Sequence, residues 1–533
     1  VPSTTAAAPD VDVLIVGAGF AGMYLLHRVR RLGLRARVLE AGGGVGGTWY
    51  WNRYPGARCD VESMEYSYSF DDGLQQDWDW SERYAAQPEI LAYAEHVADR
   101  FALRPDISLG TRVAAAAFDA ERLCWRVETT AGVITGRFLV LATGCLSSPN
   151  RPSLPGEERF RGRILHTGSW PHEPVDFTGR RVAVVGTGSS AVQAIPVIAE
   201  QAARVTVLQR TATYAVPAHN RPLDPSERAA IKARYPELRA AARTRRNYIN
   251  FDFNPESALA VGTEAREREY QARWDRGGLC FNGAFADQMT DARANAHAAD
   301  FVRRKIREIV RDPGTADLLS PRTVIGCKRL CVENGFYAAF NRPNVELVDV
   351  SKQPIEGLTE TGIRAAGREF PVDILVMATG FDAMTGSILK IDPTGRDGTP
   401  LSAAWAEGPK SFLGLAVAGF PNLFTITGPG SPSVLSNMLM SIEQHVDWLA
   451  DCLAALQAKG LRRIEAEGEA QEAWVRKVAA IAAGTLFPTC NSWYMGANIP
   501  GKPRVFMPFI GCPPYREICD AVAADGYRGF TLA

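Results

Sequence analysis

The 533-residue sequence has no apolar run long enough to cross a bilayer. Stretches such as Phe412 to Phe424 are broken by Gly and Pro well short of the ~20 residues a spanning helix needs. The first residues, Val1 to Asp10, hold no Lys or Arg and no apolar core, so they do not read as a secretory signal. Charge of one sign is equally lacking: Lys+Arg 59 balance Asp+Glu 59. Nothing in that balance draws the chain onto nucleic acid or an anionic membrane surface. Histidine is scarce and scattered, and the 10 cysteines contain no C-x-x-C pair. The closest two, Cys327 and Cys331, lack the further His or Cys of a zinc site, so no metal is expected. The cysteines read as small core residues in a reducing, cytoplasmic setting.

What the sequence does hold is a pattern that occurs twice. Val11-Asp-Val-Leu-Ile-Val16 is a β-branched run leading straight into Gly17-Ala-Gly19-Phe20-Ala-Gly22. An amphipathic stretch from Met23 to Leu32 follows, then a second apolar run from Ala36 to Leu39. The order is strand, glycine turn, helix, strand. Arg181 to Val185 begins the same order again, running into Gly186-Thr187-Gly188-Ser189-Ser190-Ala191, a helical segment and Val205 to Leu208. The fold class is therefore α/β with two Rossmann-like dinucleotide-binding units.

Between Arg221 and Arg311, Glu, Arg, Lys and Ala dominate, which predicts a helical insertion within the second unit. Its Arg-rich stretch, Arg239 to Arg246, reads as a solvated helix face. Phe370 to Gly380 predicts a buried strand ending in a glycine turn, with a twin at Phe138 to Gly144. Leu423 to Gly430 predicts another strand-to-helix junction, with a helix from Met438 to Leu449. The expected division gives residues 1–147 and 382–533 to the first domain. Residues 148–218 and 325–381 form the second, interrupted by the insertion at 219–324.

A dinucleotide pyrophosphate needs backbone N–H groups at close range and a helix N-terminus aimed at it, hence glycines between strand and helix. Gly17, Gly19 and Gly22 supply them in the first unit. Glu40 ends its second strand, where an acid accepts from ribose hydroxyls and repels a 2′-phosphate, so FAD or NAD fits there. The second unit has Ala191 in place of the third glycine and Gln209-Arg210-Thr211 in place of the acid. An arginine with a hydroxyl at that point suits the 2′-phosphate of NADPH. Together the two sites imply a flavoprotein that takes hydride from NADPH. Cys59 is the one cysteine soon after the first unit, which disfavours dithiol chemistry and leaves O2 as the electron acceptor.

The segment joining the units reads Phe160-Arg-Gly162-Arg-Ile-Leu-His166-Thr-Gly-Ser-Trp170-Pro171, which fits F-x-G-x-x-x-H-x-x-x-W-P. With it, the chain resembles the type I Baeyer–Villiger monooxygenases. Gly46-Gly47-Thr48-Trp49 through Asp60, Gly326-Cys-Lys328-Arg329, Ala378-Thr-Gly380-Phe381, Ser431-Pro-Ser433 to Met438, and Trp493-Tyr494 extend the likeness over essentially the whole chain. It looks closest to the phenylacetone and steroid monooxygenase branch. Related N-oxygenating flavin enzymes usually carry Tyr or Phe where Trp170 stands.

The resemblance implies FAD and NADPH as cofactors, and a ketone and O2 as substrates, with no nucleic-acid or membrane partner. The implied reaction turns ketones into esters or lactones through a C4a-peroxyflavin and a tetrahedral adduct, with sulfoxidation also within reach. The alternatives are an N- or S-oxygenating monooxygenase, and an NADPH oxidase or reductase. By resemblance Arg329 is the catalytic arginine, whose fixed guanidinium shelters anionic oxygen, and Asp60 is its partner. Lys328 joins Arg210 and Thr211 at the 2′-phosphate, and Trp493 packs near the NADP ribose. Gly47, Thr48, Trp49, Asp60, Tyr66, Val113 and Met438 fall where relatives contact FAD. His166 is expected to position the domains rather than carry a proton. Ser433-Val434 borders the substrate pocket of relatives, without naming the ketone.

Overall fold

Both β-branched runs become central strands with parallel neighbours on each side in the computed structural model, which describes residues 8–503 and 510–533. Val11–Val16 lies between Ala36–Leu39 and Gly132–Leu141, parallel to each. Val13, Leu14 and Ile15 are fully buried, because a strand covered by helices on its faces has no polar side. Each such side chain contributes about 1.5–3 kcal/mol by leaving water. Ile107–Ser108 extends this sheet on one side. On the other side Gly132–Leu141, Cys124–Thr129 and Val113–Asp119 form an antiparallel meander.

Leu423–Thr425 pairs in parallel with Leu139 to Leu141, so this first sheet draws strands from distant parts of the chain. From that strand the chain turns into Met438–Ala458, a longer helix than its apolar pattern predicts. It packs against Phe20–Arg31, where Tyr24 donates to Asp447 Oδ1 at 2.6 Å and Arg28 pairs with the same carboxylate at 2.8 Å.

The second sheet is wholly parallel, in the order Val345–Asp349, Arg204–Gln209, Arg181–Val185, Ile374–Met377, Arg163–His166. The single strand expected within Phe370 to Gly380 is in fact two. Arg368–Pro371 belongs to a separate three-stranded sheet and Ile374–Met377 to the parallel one. Pro371, which has no N–H for a ladder, stands at the break.

The insertion is helical, with helices at Pro225–Ala233, Tyr235–Thr244, Thr263–Arg276, Ala292–Ile309 and Pro313–Leu319. Its core includes Tyr270 set against the rings of Phe281, Phe285 and Phe301. Ala215–Pro217 pairs with Cys331–Glu333, so the insertion leaves and re-enters the second unit at adjacent points. That closure delivers Lys328 and Arg329 beside the strand that ends at Gln209.

Candidate active site

Backbone geometry makes the first glycine loop. Gly17 sits at φ +106°, and a Cβ there would lie 2.6 Å from the Ala142 carbonyl oxygen. A Cβ on Gly22 would lie 1.9 Å from the Gly17 oxygen, so only glycine lets helix and strand meet this closely. The helix Phe20–Arg31 has no side-chain cap at Gly19, which keeps its first amides for an anion. Gly47 closes against Gly19 at the head of the short helix Thr48–Trp51. Glu40 is buried and accepts from the backbone amides of Ala18 and Gly42, each at 2.7 Å. It therefore braces the loop while its carboxylate keeps acceptor capacity for ribose hydroxyls. This cradle fits FAD.

The second loop repeats the device at Gly186, with φ +104° and the Ala378 carbonyl 2.7 Å from a would-be Cβ. Gly188 again leaves the following helix, Ser189–Gln201, without a side-chain cap. Ala191 is fully buried in that helix, and Ser190 is half-buried. Thr187 donates to the Thr211 carbonyl at 2.9 Å, joining the loop to the strand end that carries Arg210. Ser189 lies 3.3 Å from Cys331 Sγ. Lys328 is held below the ordinary lysine range, first by burial and then by the charge of Arg210. Two cations brought together without a carboxylate between them fit a phosphate, which suits NADPH.

Asp60 and Arg329 meet at the junction of the two units. Arg329 Nε donates to Asp60 Oδ2 at 2.5 Å and Nη2 to Oδ1 at 2.8 Å. Nη1 donates to the Val434 carbonyl at 2.5 Å. Burial works to lower the guanidinium pKa, but the charge of Asp60 and its hydrogen bonds outweigh it and hold the group above the usual arginine value. Burial pushes the nearby Tyr494 hydroxyl up to about 12, so that ring stays neutral. Loop contacts fix Asp60 relative to the second unit. Tyr54 donates to Gln193 Oε1 at 2.8 Å, and Gln193 donates to the Arg58 carbonyl at 3.0 Å.

In the fingerprint, His166 is buried at the crossing between sheets. The Gly168 amide donates to Nδ1 at 2.9 Å, which leaves the ring proton on Nε2, 3.2 Å from the Asn150 carbonyl and 3.1 Å from Thr379 Oγ1. Burial keeps the ring below its ordinary pKa. The imidazole thus ties together the segments that enter and leave the second sheet. A Cβ on Gly162 would strike the Phe160 ring at 2.4 Å, and Trp170 is buried ahead of Pro171 with its amide donating to the Trp51 carbonyl at 3.2 Å.

The remaining expected contacts divide in two. Trp49 donates to the Tyr66 hydroxyl at 3.2 Å, beside Phe20. Val113 is buried in the core under the first sheet with Leu14, Val16 and Leu39. Met438 and Trp493 instead pack in an apolar cluster with Cys145, Met384, Val434, Phe487 and Tyr494. Sequence reasoning missed the carbonyl of Val434 as a partner of Arg329, since backbone acceptors leave no residue signature.

Two expectations are corrected. Cys327 and Cys490 are joined as a disulfide, with a Cα–Cα distance of 5.9 Å, rather than serving as separate core thiols. The other eight cysteines are free and buried. Arg239 is buried instead of solvated, because it donates to the Glu65 carbonyl at 3.0 Å, Ser67 Oγ at 2.7 Å and Gln75 Oε1 at 3.2 Å. Among the described residues no His, Cys, Asp or Glu cluster forms a metal site, and no helix is long and apolar enough to cross a membrane.

Two dinucleotide cradles, one marked by a carboxylate and one by paired cations, define a flavin- and nicotinamide-dependent oxidoreductase. Comparison with known proteins narrows this class. A family model described as pyridine nucleotide-disulphide oxidoreductase matches residues 14–265. A Baeyer–Villiger monooxygenase of Pseudooceanicola batsensis is 42% identical over 531 residues, spanning 98% of this chain and 97% of its own. A phenazine N-monooxygenase of Lysobacter antibioticus is 41% identical over 527 residues, with 98% and 97% covered. The structure of an oxidized steroid monooxygenase bound to NADP superposes with a TM-score of 0.94 at 52% identity, over 98% of this chain and 99% of that one. The chain belongs to the Baeyer–Villiger monooxygenases, FAD-containing enzymes that use NADPH.

Proposed function

We propose that this chain oxidises ketones to esters or lactones, with Arg329 as the residue that stabilises negative charge on the reacting oxygen atoms. The observation that carries the reading is the guanidinium held by both oxygens of Asp60 and by the Val434 carbonyl. In this reading residues 1–147 and 382–533 hold FAD, and 148–218 with 325–381 hold NADPH. When bound, FAD reduced by NADPH would supply the activation of O2, one atom of which is inserted and the other leaves as water.

The protein's own residues do the rest. The amides at Gly17 to Gly22 and at Gly186 to Ala191 take the two pyrophosphates, with Gly47, Thr48, Trp49 and Tyr66 closing over the flavin side. Val113 and Met438 would hold the same cofactor from two separate apolar clusters. Lys328, Arg210 and Thr211 select the 2′-phosphate, while Trp493 covers the adjoining ribose. Arg329, a permanent cation rich in donors, lowers the cost of charge that develops on the carbonyl oxygen as it is attacked. Asp60 fixes the orientation of that cation. Ser433 sits at φ +46° with its Oγ 3.1 Å from the Thr427 carbonyl, which aims the next residue's carbonyl at Arg329. A need for NADPH as reductant supports a cytoplasmic setting for this reading.

The test is a panel of aryl, cyclic and steroid ketones incubated with NADPH and O2, with products identified by mass and by ester or lactone hydrolysis. Likeness to a phenazine N-monooxygenase favours one second reading, oxygenation of an aromatic ring nitrogen. Aromatic N-heterocycles in the same panel decide it. An N-oxide product without any ester would replace the ketone reading.

A further inference from the structure

We propose that Cys327 and Cys490 form a reversible redox latch that controls how firmly the enzyme holds NADP(H). The inference rests on the reading of Lys328 as a contact to the 2′-phosphate. The pair joins two loops 163 residues apart in sequence, and both are parts of the same site. Cys327 immediately precedes Lys328 and Arg329. Cys490 ends the turn Phe487–Thr489 and stands just before Trp493 and Tyr494. Beyond it the strap continues to Asn498, which donates to the Phe381 carbonyl at 2.7 Å, and to Lys502, which pairs with Asp382 at 2.5 Å. The bond therefore ties the loop carrying Lys328 and Arg329 to the strap carrying Trp493 and Tyr494.

Without the bond, what holds the strap over this loop is softer. Leu486 donates to the Met289 carbonyl at 2.9 Å, the Tyr494 hydroxyl faces the Arg329 guanidinium, Asn498 and Lys502 hold the neighbouring 381–383 segment, and the remainder is apolar packing of Phe487, Tyr494, Met289 and Met438. Apolar packing of that kind slides where a covalent link does not. A disulfide in an enzyme that depends on NADPH, and so works beside a reducing thiol pool, belongs to the class that switches rather than the class that only staples.

The chemistry balances with an oxidant that the enzyme itself generates. When no substrate is present, a flavin oxygenase converts NADPH, H+ and O2 into NADP+ and hydrogen peroxide. Two thiols and one hydrogen peroxide give the disulfide and two water molecules. A dithiol reverses this by taking up the bond as its own disulfide. Cys327 and Cys490 are 3% and 8% exposed, so they meet small peroxides more readily than bulky thiols. Idle turnover thus closes the latch over NADP+ and slows further loss of NADPH, and reduction reopens it.

The experiment uses FAD-loaded enzyme in two portions, one treated with stoichiometric hydrogen peroxide and one with dithiothreitol. Thiols are alkylated in denaturant and peptides are analysed by mass, and NADP+ binding is measured by calorimetry on the native portions. The expected result is a reducible cross-link between the Cys327 and Cys490 peptides. NADP+ should bind about five-fold or more weakly after reduction, at the low end of ordinary coupling between sites. The Cys490→Ser enzyme should show the same NADP+ affinity in both portions. All ten cysteines alkylated after peroxide treatment would overturn the latch, as would a cross-link that leaves NADP+ affinity unchanged. Failure of the nucleotide reading looks different. NADP+ would then bind neither portion, and the cross-link would stand alone as a structural bond, which also overturns the proposal.

Discussion

The Val434 carbonyl accepts from Arg329 Nη1 on the edge of the guanidinium that Asp60 leaves free. Asp60, Arg329 and Val434 come from three distant parts of the chain, so the position of this cation reports on the closure of the whole molecule. A guanidinium fixed on two sides loses little rotational freedom when an anion arrives, and it keeps donors for that anion.

The paired cations at the second glycine loop make a prediction about coenzyme choice. Lys328→Ala and Arg210→Ala are each expected to raise the KM for NADPH roughly ten-fold, the loss of one charge-assisted hydrogen bond. The KM for NADH should move little, which steady-state kinetics with both coenzymes will check. The ammonium form of Lys328 is the one that binds phosphate, and its pKa lies below the usual 10.5. NADPH affinity should therefore decline as pH rises through that lowered value. The decline should shift to higher pH in Lys328→Arg.

His166 yields a test of clamp against proton carrier. Its replacement by Ala removes ties to Asn150 and Thr379, which should cost about 1–3 kcal/mol of stability through unsatisfied buried groups. Flavin reduction and oxygenation should slow together. The neutral ring has no proton to lose near neutrality, so the shape of the pH–rate profile between pH 6 and 8 should be the same in both enzymes. A basic or acidic limb that vanishes in His166→Ala would assign the ring a catalytic proton.

His445 offers a pH prediction for the fold itself. It is buried on the inner face of the Met438–Ala458 helix, accepts from the Thr427 amide at 2.9 Å, and lies 2.9 Å from the Tyr515 hydroxyl. Burial pushes its pKa from 6.5 down to about 3. Unfolding raises it again, so the unfolded chain takes up a proton that the folded chain refuses. The stabilisation from the neutral ring is complete above pH 6.5 and is lost as pH falls toward 3, amounting to about 5 kcal/mol over that window. Denaturant melts of His445→Gln across this range should show a flatter decline than the parent enzyme.

The glycine loops were legible in the sequence because their constraint is local. Gly17, Gly22 and Gly186 are demanded by backbone contacts within one strand–turn–helix unit, and a few residues suffice to show it. The ends of the second strands, Glu40 and Arg210, were legible for the same reason. The meeting of Asp60 with Arg329 was not, because no spacing rule joins residues on opposite sides of an insertion; only family likeness suggested it. Cys327 with Cys490 had neither a local pattern nor a family motif to announce it. Arg239 misled because its composition is that of a surface helix, whereas its acceptors are carbonyl and side-chain oxygens from residues 65–75.

The most direct test of the central role given to Arg329 is the Arg329→Ala enzyme, assayed for flavin reduction and for ester or lactone formed per NADPH consumed. Flavin reduction should persist while product per NADPH falls by about 100-fold or more, the usual cost of removing a group that stabilises a developing oxyanion, with hydrogen peroxide appearing instead. Ester formation at the parent rate in Arg329→Ala would contradict the account.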